Sequence, residues 1–168
     1  MITVKTPQIK PKPVVSVFLA GSIENGAATM WQSDVIQQLN DSYGNDPCVN
    51  VEVFNPRRDD WDISIDPSEP SGELQYQIEW ELDHLERSDI VLMYFDENTK
   101  SPISLLELGL HKHKQIIVFC PKAFWRSANV VVTCQYYDVD VYDTVVAWRG
   151  AWRSAIAQKL YNRDWDLV

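Results

Sequence analysis

Short, strongly apolar runs alternate along this chain with longer stretches of mixed character. The runs "VVSVFLA" (residues 14–20), "VNVEVFN" (49–55), "DIVLMYF" (89–95) and "QIIVFC" (115–120) are rich in β-branched and aromatic side chains and read as strands. Between them "AATMWQSDVIQQLN" (27–40), "GELQYQIEWELDHLER" (72–87) and "PISLLELGLHKH" (102–113) read as helices. The last of these is opened by Ser101 as N-cap and Pro102 at the first helical position. "NVVVTC" (129–134) reads as a short fifth strand, and "DTVVAWRGAWRSAIAQKLY" (143–161) as a long closing helix. Residues 1–13, which include the Pro/Lys-rich "TPQIKPKP", are expected to be an extended tail before a single domain at 14–168.

Strands of continuous apolar character separated by helices imply a parallel sheet covered on both faces. Five strands in a chain of this size predict an α/β flavodoxin-like, doubly wound fold with a mostly parallel sheet. In such sheets ligands bind beyond the carboxyl ends of the strands, where the strand order switches. The segments that follow the strands are "GSIENG" (21–26), "PRRDDW" (56–61), "DENTKSP" (96–102) and "PKAFWR" (121–126). They carry the distinctive polar and aromatic residues, and all fall on that edge.

Composition narrows the partners. The 168 residues are 45% hydrophobic and 23% charged, ordinary for a folded domain, but the net charge is −9. Such a balance excludes a general nucleic-acid binder, which needs a Lys/Arg surplus, and leaves room for a small ligand. Cys48, Cys120 and Cys134 are odd in number and lack a CxxC spacing. With no signal peptide and no long apolar span, they read as reduced thiols of a cytoplasmic protein that meets no membrane.

Glu107 is the conspicuous acid. Ile103, Leu105, Leu106, Leu108 and Leu110 surround it in sequence, and a buried carboxylate costs several kcal/mol unless it is paired, protonated or used. At the mouth of a cleft it suits a nucleophile or general base; as a structural acid it would bond to a nearby Tyr, Trp or Arg. Glu81 borders a stripe formed by Leu74, Ile78, Leu82 and Leu85, whereas Glu79, Asp83 and Glu86 fall on the solvated side. It either looks inward or pairs with a surface cation. Ala20, Gly21 and Ser22 form a turn that lets a ligand approach the backbone. Asn55, Arg57, Arg58, Asp60 and Trp61 could bind phosphate, stack on a base or pair among themselves. His111 and His113 near Glu107 lack the HExxH spacing and a third ligand, so no metal is expected and both histidines read as surface residues.

Taken together, "FLAGSI", "FNPRRDDWD", "QIEWELDHLERSDIVLMYFD", "SPISLLELGL" and "CPKAFWRSANV" resemble the nucleoside 2-deoxyribosyltransferase-like family, from about Val17 to Asp140. The resemblance implies a flavodoxin-like fold and cleavage of the N-glycosidic bond of 2′-deoxynucleosides or their monophosphates. It places Glu107 at the nucleophile position and Glu81 where relatives carry the base-binding, proton-transferring acid. Gly21 and Ser22 match the turn against sugar and base. Asn129 matches a residue that a neighbouring subunit donates, which implies a homo-oligomer. Where well-characterised transferases carry Asp six residues before the nucleophile, this chain has Ser101, as do the related monophosphate hydrolases, which use it as a phosphate ligand.

The expected chemistry is attack of Glu107 on C1′, departure of the base with a proton from Glu81 or water, and transfer of the deoxyribosyl group to a second base. No cofactor is required, and apolar walls around Glu107 are expected to exclude water. The alternatives are a deoxynucleoside 5′-monophosphate N-glycosidase, with Ser101 and Arg57 or Arg58 on the phosphate, and a non-catalytic nucleotide-binding module.

Overall fold

The computed structural model describes residues 14–23, 27–46, 49–58, 65–69 and 72–165. The expected tail at 1–13, Cys48, Asp60 and Trp61 lie outside the described residues. Five strands, β1 (Val14–Gly21), β2 (Asn50–Phe54), β3 (Ile90–Tyr94), β4 (Ile116–Phe119) and β5 (Asp140–Tyr142), form one sheet in the order β2-β1-β3-β4-β5. Every pairing is parallel, so the sheet is wholly rather than mostly so. The helices are α1 (Trp31–Tyr43), α2 (Gly72–Arg87), α3 (Pro102–Leu110), α4 (Ser127–Tyr136) and α5 (Val145–Trp165). The 2-1-3-4-5 order is that of flavodoxin-like folds, with the switch point between β1 and β3.

Two-residue alternation splits each central strand between two cores. Val15, Val17 and Leu19 of β1 join Ile90 and Leu92 of β3 under α1 and α5, where Trp31, Trp148 and Trp152 supply much of the bulk. Phe18 and Ala20 join Val91, Met93 and Phe95 on the other face, with Leu85, Leu108, Val130 and Cys134 from α2, α3 and α4. Apolar side chains on both faces of one strand are what made these segments read as uninterrupted apolar runs.

Three local expectations need correction. The segment 129–134 is not a strand but part of α4, and the fifth strand is Asp140–Tyr142. Its valines favour extended backbone, but Val130 and Cys134, one turn apart, both reach the core, and packing outweighs propensity. Ser101 occupies the N-cap position of α3 without capping it: its backbone is left-handed (φ 48°, ψ 52°) and its side chain makes no cap hydrogen bond. In α2 the inward stripe is rotated from the expected one. Of its residues only Leu85 is buried, Trp80 packs on the core, and Ile78 and Leu82 are each more than a third exposed. Trp80 and His84 take the inward places because their rings stack on each other and meet Phe54 of β2 edge-on. Glu79, Asp83 and Glu86 are exposed, as their spacing implied. Among the described residues no helix is long and apolar enough to cross a membrane.

Gly21 ends β1 opposite Tyr94, with φ 134°. A Cβ there would lie 2.2 Å from the Tyr94 carbonyl oxygen and 2.7 Å from its nitrogen, both backbone atoms that cannot step aside. Gly109, on the exposed side of α3, has nothing within 4 Å of its Cβ position. Gly21→Ala should therefore lower stability by about 4 kcal/mol or more, whereas Gly109→Ala should raise it by roughly 0.5–1 kcal/mol. Denaturant titration of the two variants beside the parent protein checks both signs.

Candidate active site

The sheet's switch point opens a cavity of about 300 Å³ between the end of β1 and the start of α3. Ala20, Gly21, Ser22 and Ile23 line it from β1, Pro56 from the loop after β2, and Glu81 from α2. Ser101, Pro102, Ile103, Ser104 and Glu107 close it from α3. Six residues singled out from sequence thus meet in one place: Glu107, Glu81, Ala20, Gly21, Ser22 and Ser101.

A knot of buried hydroxyls joins the two walls. Ser22 Oγ lies 2.5 Å from Ser101 Oγ, and Thr99 Oγ1 lies 2.8 Å from each. The Asp96 backbone N–H donates to Ser22 Oγ at 2.9 Å. The left-handed turn at Ser101 directs its hydroxyl to this knot instead of to the helix end. Beside it, burial works against ionising Asp96, but the N–H groups of Thr29 and Asn98 outweigh it and hold that carboxyl below its usual range.

Helix α3 is amphipathic in the reverse of the usual sense. Ser104, Glu107, Leu108 and His111 are buried, while Ile103, Leu106 and Leu110 are each more than half exposed. Of the apolar neighbours in sequence, Leu108 is buried and Ile103 lines the cavity with Glu107, while Leu106 and Leu110 share an outer face with Ile103, because a helix turns residues three and seven apart onto one side. Across the cavity Glu107 shares the lining with the end of β1 and with Glu81 of α2. His111 is a second correction: it is buried, its Nδ1 lies 3.1 Å from the Glu107 backbone oxygen, and only His113 is a surface residue.

Glu107 is 7% exposed and, among the described residues, its side chain makes no hydrogen bond or ion pair. Burial, and then the charge of Glu81, push its carboxyl up to about 8. Burial also raises Glu81, opposed by a hydrogen bond from the Gln77 side chain. Two carboxyls facing one low-dielectric space share protons as a unit. The one without a donor keeps its proton longer.

Neither arginine of the loop after β2 lines this cavity. Arg57 donates to the Thr29 carbonyl and Gln32 Oε1, at 3.2 and 3.3 Å. Arg58 pairs with Glu73 and, with Asn55, lines a neighbouring cavity of about 390 Å³ beside Trp80. Asn129 is exposed on α4 and lines neither. Among the described residues, no Lys, Arg or His lines the carboxyl cavity. Pro56, Ile23, Ser104 and Gln77 escaped the sequence reading; only Ser104 left a signal, lying three residues before Glu107 on the same helix face.

The family model described as nucleoside 2-deoxyribosyltransferase like matches residues 14–124, a span that contains the whole cavity. The chain belongs to this family. Membership carries enzymatic glycosyl transfer or hydrolysis on a small-molecule nucleoside as the general function. No curated protein matches the chain. Among solved structures it is similar to a conserved protein from Enterococcus faecalis V583, with a TM-score of 0.52 at 10% identity. That likeness covers 89% of this chain and 99% of the other, and supports the family's fold.

Glu107 also leaves a mark on stability. In the unfolded chain its carboxyl ionises near 4.5, and in the folded protein near 8. Between those values the folded state holds the extra proton, so stability falls as pH rises through the window. Glu107→Gln cannot ionise and should escape that loss. The variant is expected to be more stable than the parent by a few kcal/mol, on the order of 2–4, at about pH 8. The gap should close towards about pH 5, as followed by thermal unfolding at stepped pH.

Proposed function

We propose that this protein is a nucleoside 2-deoxyribosyltransferase in which Glu107 forms a covalent ester with the sugar. The observation that carries the reading is a nearly buried carboxyl with no partner among the described residues, facing a cavity it shares with a second carboxyl. A structural acid would have been given a donor. The pair holds one proton near neutral pH, and in the empty site it rests on Glu107. When substrate enters, that proton passes to Glu81 or a bound water, leaving Glu107 ionised. Its oxygen then bonds to C1′ as the C1′–N bond breaks; the bond's electron pair goes to the base, and Glu81 supplies the base with a proton. A second base attacks C1′ from the vacated side, its proton returns to Glu81, and Glu107 leaves as a carboxylate. No step calls on a cofactor.

Ser101 supports a second reading, hydrolysis of deoxynucleoside 5′-monophosphates. Its hydroxyl, with Ser22 and the first turn of α3, lies where a phosphate could be received. Against it stands the cavity's charge: two carboxyls, with no cation lining the cavity among the described residues, disfavour a dianion.

Self-association completes the proposal. Ile103, Leu106 and Leu110 form an exposed apolar face on α3, and Ile78 and Leu82 are exposed on the neighbouring α2. Ile103 also lines the cavity, so a second copy seated on this face would close the cavity's mouth. The exposed Asn129 is the residue we assign to the partner's site.

Incubation of a 2′-deoxynucleoside with and without a second free base, with both products followed by chromatography, tests the reaction. Exchanged nucleoside is expected, together with a protein mass raised by one deoxyribosyl group, and Glu107→Ala should lose at least about a thousandfold in rate. Free deoxyribose alone, from the nucleoside or its monophosphate, would replace transfer by hydrolysis. Mixing inactive Glu107→Ala with inactive Asn129→Ala protein should restore part of the activity if sites are completed between subunits. Two variants that stay inactive together, each dimeric by light scattering, would remove Asn129 from the partner's site.

A further inference from the structure

Gln77 lies one turn before Glu81 on α2 and stands between the two cavities. Its Nε2 is 2.7 Å from Glu81 Oε1 and 3.3 Å from the carbonyl oxygen of Pro56. Pro56 is buried in the loop after β2 and lines both cavities. Ionised Glu81 and a backbone carbonyl both only accept, so the nitrogen end of the Gln77 amide must face them and both its hydrogens are committed. One oxygen of Glu81 is thereby tied through Gln77 to the opposite wall.

We propose that Gln77 is a positioning residue for the carboxyl pair: its amide clamps Oε1 of Glu81, leaves Oε2 for the substrate's base, and assigns the single proton of the empty site to Glu107. The role of the pair in catalysis rests on the glycosidic-cleavage reading. The clamp itself is a property of the ligand-free protein and stands apart from it.

The surroundings leave few competitors for Glu81. From α3, Glu107 is the titratable group that faces it. On its own helix, His84 lies against the Trp80 carbonyl and Arg87, and Arg87 is paired with Asp83. From the loop after β2, Arg57 is directed to Thr29 and Gln32, and Arg58 to Glu73. The end of β1 brings no charge. Among the described residues the donor on the Glu81 carboxylate is Gln77.

Such a clamp has a directional consequence. A donor on Glu81 favours every state in which Glu81 is ionised. The first proton lost by the pair leaves more easily, and the second, from Glu107, is nearly unaffected. Without the donor the first step moves to higher pH; with a cationic donor it moves lower.

Carbon-13 carboxyl NMR of the ligand-free protein, titrated as wild type, Gln77→Leu and Gln77→Lys, tests this. In the Leu variant the Glu81 step should rise by about one pH unit, and in the Lys variant it should fall. The acidic limb of kcat/KM should follow in the same opposite directions. A merely structural role would shift neither, or both the same way, and either result overturns the proposal. The carboxyl titrations need no turnover. A protein that cleaves no glycosidic bond yet shows the opposed shifts would keep the clamp and lose the proposed function; turnover without those shifts would do the reverse.

Discussion

The end of β1 runs so close to β3 that residue 21 has no room for a Cβ, and the site is built outward from that contact. With Gly21 against the Tyr94 backbone, the next residue donates its N–H to the Tyr94 carbonyl at 2.9 Å. The Ser22 hydroxyl then falls beside Asp96, Thr99 and Ser101. That knot fixes the chain's turn into α3 at a left-handed Ser101, a conformation that costs a non-glycine residue about 1 kcal/mol or more and is held only where its surroundings determine it. The direction of α3, and so the aim of Glu107 two turns later, follows from a missing methyl group on β1.

Once aimed, Glu107 is defined by what it lacks. Asp96 is also buried, yet backbone N–H groups hold it ionised. Asp89 is held by Ser16 and Arg163. Glu107 is the contrast: burial and a like charge act on it, no donor among the described residues offsets them, and its proton affinity rises towards the range where a group can change charge at neutral pH. The fold tolerates this because the acid opens onto a cavity, not onto packed core. Leu108 lies beneath α3, but Ile103, Leu106 and Leu110 are turned out to solvent, and an exposed stripe of that kind is what subunit contacts are made from.

The arginines divide the ground around the site. Arg57 braces the loops after β1 and β2 through Thr29 and Gln32, and Arg58 neutralises Glu73 in the adjoining cavity. Neither offers its charge to the carboxyl pair. An anion brought near the pair would meet two acids with hydroxyls as the counterweight, whereas a neutral sugar and base would not. Gln77 stands where the two cavities meet, and a single amide there reaches both the acid and the loop.

From the chain alone, much was already decided. Apolar runs with two-faced alternation determined a covered parallel sheet, and the turn residues after each strand determined which edge would carry chemistry; both rest on local period and local backbone preference, which sequence records directly. A carboxylate that no local pairing could account for marked Glu107 in the same way. Tertiary structure decided the rest. Sequence spacing gives the angle between residues on a helix but not which angle faces the sheet, so the inward stripe of α2 differs from the expected one: Ile78 and Leu82 face outward, and Trp80 and His84 take their places. Propensity drew Val130–Val132 into a strand, yet core packing at Val130 and Cys134 made a helix. Gln77's hold on Glu81 and the division of Arg57 and Arg58 between separate partners depend on contacts between distant segments, and no single stretch of sequence contains them.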